Sequence, residues 1–178
     1  MTGIVPAGVT IDSLRMDTEA NVRWMSWRDS LSEELGENTA VIQILNPGMS
    51  PFQIGARRQL VLSFWNRSTL TFGETVIARL FGRRPDLCVK LHKMFLGDSG
   101  GGPWRPPLKA DAIEIRQFVD AVPKEWSFVV TCEYGRSSSR AVASWIAAHR
   151  KLKIGSGRAG GSANVLISDL LFSGDRQF

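Results

Sequence analysis

The stretch from Ser127 to Lys151 constrains this chain more than any other. Ser127-Phe128-Val129-Val130-Thr131 is a compact, β-branched run of the kind that forms a buried strand. From about Ser139 to Lys151, Val142, Trp145, Ile146 and His149 return on one helical face, which places all four on the buried side of a helix. Only Cys132 to Ser138 join the two. A strand that turns this quickly into a helix is the repeating unit of an α/β fold, because the helix must fold back over the sheet to bury its apolar stripe.

The rest of the chain supports that class. Ala40 to Leu45 reads as a buried strand closed by Asn46-Pro47-Gly48, and Leu60 to Phe64 as a second. Between Thr18 and Leu35, Trp24, Trp27, Leu31 and Leu35 fall on one helical face, and Gly36 supplies a stop. Glu74 to Phe81 reads as a short helix. A well-marked helix runs from Ala110 to Val122, where Ile115, Phe118, Val119 and Val122 form its stripe and Pro123 ends it. A glycine-rich link leads to a last helix over Asn164–Phe172. Residues 1–17 are irregular. Residues 82–108, which include Gly97-Asp98-Ser99-Gly100-Gly101-Gly102-Pro103, read as an insertion-like loop. The expectation is a single α/β domain over 1–178, with a central, mainly parallel sheet flanked by helices and a ligand site beyond the carboxyl ends of the strands.

Composition narrows the function classes. With 178 residues, 43% hydrophobic and 22% charged, the chain suits one core of ordinary size. The net charge of +5 favours anionic partners in general, and its modest size does not single out nucleic acid. No stretch approaches the ~18 apolar residues of a membrane span, so no membrane partner is expected. The amino terminus carries no signal-peptide pattern. Two cysteines, Cys88 and Cys132, are too few for a disulfide framework and suit a reducing cytoplasm. Two histidines and no clustered thiols argue against a metal site, and no cofactor is implied.

The chemistry sits between the strand and the helix. A helix start presents unpaired N–H groups and the positive end of its dipole, and Gly135 lets the backbone curl so that successive N–H groups face inward. Thr131-Cys132-Glu133-Tyr134-Gly135-Arg136-Ser137-Ser138-Ser139 is therefore an anion-binding loop with a cysteine at its mouth, where a thiolate is stabilised. Cys-x-x-Gly-x-x-x-Ser between Phe128-Val129-Val130 and Arg140-Ala141-Val142-Ala143 resembles the signature loop of the protein tyrosine and dual-specificity phosphatases, in their compact bacterial form. The resemblance is close over about fifteen residues around the loop and loose over residues 40–172. It implies that Cys132 attacks phosphorus to give a cysteinyl-phosphate. It also implies that the backbone amides of Glu133, Tyr134, Gly135, Arg136, Ser137, Ser138 and Ser139 hold the phosphate oxygens, and that the Ser139 hydroxyl helps discharge the thiolate. A phosphorylated substrate or phosphoprotein is the implied partner.

Three departures qualify that implication. The family arginine belongs at Ser138, and a serine cannot reproduce a two-pronged guanidinium grip. Thr131 stands where the family commonly has histidine. The general acid is open between Asp98, preferred for its place in the glycine-rich run, and the position of Asn66, which has no acid to offer. Hydrolysis of a phosphomonoester, impaired by Ser138, is one reading. A pseudophosphatase that binds a phosphorylated partner is the second, and a rhodanese-like sulfur carrier the third. Arg136 and Arg140 flank the gap at Ser138. Trp65 and Trp104 are candidate pocket walls, and Cys88 is read as a core thiol.

Overall fold

The computed structural model describes residues 20–65, 76–77, 80–81, 83–96, 106–155, 157 and 162–174. Strands β1 (Asn21–Ser26), β2 (Thr39–Leu45), β3 (Arg58–Ser63), β4 (Ser127–Cys132) and the short β5 (Lys153–Ile154) form one sheet in the order β3-β2-β4-β1-β5. Every pairing is parallel. The helices are α1 (Trp27–Leu31), α2 (Pro85–Leu96), α3 (Lys109–Ala121), α4 (Ser138–Arg150) and α5 (Val165–Gly174). The fold is therefore α/β, a parallel sheet flanked by helices.

Parallel strands buried on both faces read as continuous apolar runs, and β2 and β4 do so. All seven residues of β2 are buried, Gln43 included. On one face, Ala40, Ile42, Ile44, Leu62, Phe128 and Val130 pack against Ile115 and Val119 of α3, Trp145 and Ile146 of α4, and Ile167 and Leu171 of α5. On the other, Met25, Val41 and Val129 meet Ile54, with Leu35, Phe52 and Ala56 beside them. The moves from β3 to β4 and from β4 to β5 run one way across the sheet, and their helices α3 and α4 lie on the first face. The moves from β1 to β2 and from β2 to β3 run the other way, and residues of their connections cover the second face. Crossovers that all share one hand require this division.

Four expectations need correction. The helix over Thr18–Leu35 is a strand followed by a single helical turn and a half. Val22, Trp24 and Ser26 alternate with Arg23 and Met25 in β1, and the helical stripe of Trp24, Trp27 and Leu31 straddles the junction. Ser26 marks that junction: its hydroxyl accepts the Asp29 N–H at 3.2 Å and donates to the Asp29 carboxylate at 2.7 Å, a cap that starts α1. Second, the segment 82–108 holds the twelve-residue helix α2. Pro85 opens it, Asp86 sits in its first turn, and Cys88 packs with Ile77 and Leu108 in a small core. Third, no strand is expected between the helix end at Lys151 and the glycine-rich link, yet β5 forms there and pairs with Asn21 and Val22. Fourth, His149 lies on the exposed side of α4, stacked on Trp145 with ring centroids 4.5 Å apart and hydrogen-bonded to Asp120 at 2.9 Å. Residues 76–77 and 80–81 are helical; the remainder of the expected helix over Glu74–Phe81 lies outside the described residues. No helix among the described residues is long and apolar enough to cross a membrane.

Candidate functional site

Cys132 ends β4, the central strand, with β1 and β2 on either side. Cys132 pairs with Ser26 of β1 and Thr131 before it with Gln43 of β2, so the turn that follows departs from a fixed point. Gly135 then brings the loop against the end of β1. Its φ is +64°, and a Cβ at this position would lie 2.3 Å from the Ser26 nitrogen and 2.4 Å from the Met25 carbonyl carbon. Only glycine combines that left-handed backbone with so close an approach. Ser137 lies just before α4, and its carbonyl accepts the N–H of Ala141 at 3.0 Å and that of Asn164 at 3.2 Å.

Three side chains of the loop point into the fold. Cys132 is 3% exposed, and its Sγ donates to Ser139 Oγ at 3.1 Å. Ser138 and Ser139 are fully buried in the first turn of α4. Asn164 reaches across from the start of α5, where its Nδ2 donates to Ser138 Oγ at 3.3 Å. Its Oδ1 accepts the Ile167 N–H, also at 3.3 Å, so one side chain caps α5 and ties it to α4. The position where the resemblance asks for an arginine is thus a serine engaged with α5.

Of the remaining loop residues, Tyr134 and Arg136 face outward. Arg136 is exposed, with no ion pair or side-chain hydrogen bond among the described residues. Arg140, one turn into α4, places its guanidinium over the Trp24 ring of β1, 6.0 Å from the centroid. Glu133 accepts a hydrogen bond from Asn46 Nδ2 at 2.5 Å, which ties the loop to the end of β2. Tyr134 is 59% exposed, and its hydrogen bond to the Glu133 carboxylate raises its pKa above the ordinary 10.0. A cavity of about 240 Å³ opens beside these two residues, lined also by Ser26, Trp27 and Arg28. Trp27 is stacked on Phe52 with centroids 4.5 Å apart, and Arg28 lies 5.3 Å over its ring.

The structure therefore brings Cys132 and residues 133–139 together as one loop at the carboxyl end of the sheet. Asp98, Asn66 and Trp104 lie outside the described residues. Trp65 is half-buried just past β3. Cys88 is a core thiol in α2, donating to the Phe81 carbonyl at 3.1 Å. Sequence reasoning missed Ser26, Asn46 and Asn164 as loop supports. Each carried a local signal, a helix cap or an Asn-Pro-Gly turn, but none carried the long-range contact. Thr131 has a fully buried hydroxyl with no partner among the described residues. No cluster of three or more His, Cys, Asp or Glu side chains able to hold a metal ion occurs among those residues.

No family model, curated protein or solved structure matches the chain.

Proposed function

We propose that the loop Cys132–Ser139 is a phosphate cradle of the protein tyrosine phosphatase type, on a scaffold whose turnover is impaired. The observation that carries this reading is the Cys132 Sγ to Ser139 Oγ hydrogen bond of 3.1 Å at a strand end, across a glycine with φ +64°, before a helix start. The first-turn N–H groups of α4 offer an anion its ligands beside that sulfur.

Were a phosphomonoester to be turned over here, the Cys132 thiolate would attack phosphorus and form an S–P bond as the P–O ester bond breaks. The departing oxygen would need a proton from an acid, for which Asp98 is the candidate. Water would then attack the cysteinyl-phosphate, lose a proton to that same group, and release inorganic phosphate with the thiolate restored. Ser139 would steady the sulfur as it leaves. What position 138 lacks is the arginine that the resemblance places over the developing charge, and losing such a clamp costs on the order of 10³ in rate.

A second reading, a pseudophosphatase that holds a phosphorylated partner, is favoured by the state of Ser138. Its hydroxyl is buried and bonded by Asn164, and Arg140 is engaged over Trp24. Hydrolysis of an aryl phosphate between about pH 5 and 8 separates the two. The enzyme reading expects slow, vanadate-sensitive release abolished by Cys132→Ser and raised by Ser138→Arg. The binding reading expects phosphate heat by calorimetry without release. Neither turnover nor phosphate binding at the loop would sink both.

A further inference from the structure

A second basic hollow lies in the helix layer, built from other elements than the cysteine loop. Lys109 and Arg116 lie on one face of α3, Leu170 and Ser173 on α5, and Arg83 comes from the segment before α2; together with Ile113 they line a cavity of about 120 Å³. Among the described residues, three cations line it and no carboxylate does. Asp111, in the first turn of α3, is buried, and its carboxylate accepts the Leu108 N–H at 2.7 Å.

The three cations differ in how they are held. Arg116 is fixed: its Nη2 donates to the Leu170 carbonyl at 3.0 Å and to that of Leu171, and its guanidinium lies 5.8 Å from the centre of the Trp145 ring. Arg83 and Lys109 form no ion pair or side-chain hydrogen bond among the described residues. Lys109 is also the first residue of α3, so the positive end of that helix adds to the field. Like charges drawn to one hollow repel unless an anion or water answers them. The volume admits several waters or one tetrahedral ion, at ~30 Å³ per water in the liquid.

We propose that this hollow binds a free tetrahedral oxyanion, inorganic phosphate or sulfate, independently of the Cys132 loop. Arg116 supplies a preset guanidinium, Lys109 and Arg83 close over the ion, and the Ser173 hydroxyl completes the ring of donors.

The test is a titration of the isotopically labelled protein with inorganic phosphate, followed by two-dimensional NMR. Amide shifts near Lys109 and Ile113 should saturate with their own dissociation constant, separate from any shift at residues 133–139. The exposed double variant Arg83→Ala, Lys109→Ala should weaken binding at the hollow by about tenfold or more while leaving the loop's response unchanged; tenfold corresponds to ~1.4 kcal/mol. The proposal is overturned by amides around Lys109 that stay still into the tens of millimolar, by a double variant that binds as well as the parent, or by chloride producing the same shifts at equal ionic strength. Glycerol phosphate that binds where inorganic phosphate does not overturns it too. Failure of the cysteine loop to bind phosphate leaves this outcome untouched, because the two sites are read from different resonances.

Discussion

The two faces of the sheet are stabilised by different means. The face under α3, α4 and α5 is a broad apolar core with Trp145, Phe128, Ile115 and Ile167 fully buried. The opposite face has a small apolar cluster around Met25, Val41, Ile54 and Val129, supplemented by a polar clamp. There Gln43, itself fully buried, donates from Nε2 to the Phe52 carbonyl at 2.7 Å and accepts the Phe52 N–H through Oε1 at 3.1 Å. That clamp holds the loop after β2 flat against the sheet and sets Phe52 under Trp27. The cysteine loop is bonded from both sides, to α5 through Asn164 and to β2 through Asn46. The loop thus sits between a thick apolar layer and a thinner one held in part by a buried amide.

The sharpest way to break that contrast is at the contact the loop makes with β1. Gly135→Ala puts a Cβ into the Ser26 and Met25 backbone and strains a left-handed φ, and the expected loss is about 4 kcal/mol or more, or no folded protein. Thermal denaturation and soluble yield read it; a variant close to the parent would show that the loop can lift away from β1. Next come paired substitutions on the two faces, compared by chemical denaturation. Trp145→Ala should cost about 3–5 kcal/mol through the cavity it leaves. Gln43→Leu should cost about 1–3 kcal/mol by stranding the Phe52 N–H, since the Phe52 carbonyl keeps a bond from Gln59 at 3.4 Å. The reverse order would mean that the polar face, not the apolar one, dominates stability.

The smallest effect is also the cleanest to read. Tyr134 is the only tyrosine in the chain, so phenolate absorbance reports it alone. Its ionisation should lie above 10.0, because the Glu133 carboxylate accepts a bond from the neutral phenol. Glu133→Gln should bring it back towards that value. The raised pKa means that the contribution of this bond is present in full below the ordinary tyrosine value and is lost as pH rises through the folded one. An unmoved titration would show that Glu133 belongs to Asn46 alone.

Much of this was legible in the sequence where local pattern and burial agree. β2, β3, β4, α3, α4 and α5 each fall within a few residues of their expected bounds, because β-branched runs, helical stripes and stops such as Pro123 all point the same way. The amino-terminal strand was misread because Trp24, Trp27 and Leu31 mimic one helical face while belonging to two elements; only the Ser26 cap marks the break. Helix α2 was hidden by the charged and glycine-rich residues around it. The loop was visible through Cys132, Gly135 and Ser139, whose spacing is local. Its supports were not, since Asn46 and Asn164 reach it across 87 and 26 positions of chain.

The strand order carries a further consequence, in time rather than in space. Among the described residues β1 has neighbours only in β4 and β5, and the Asn21 N–H is bonded to the Ser127 hydroxyl 106 residues later. During synthesis β2 and β3 can pair with each other early, while β1 has no native partner until β4 has emerged. At ~5–20 residues per second that interval is roughly 5–20 seconds, with both of its edges open. The strand that braces Gly135 is therefore made before β2 and β3 but seated after them, and whatever the loop binds can be bound only after β4 and the helix that follows it have emerged.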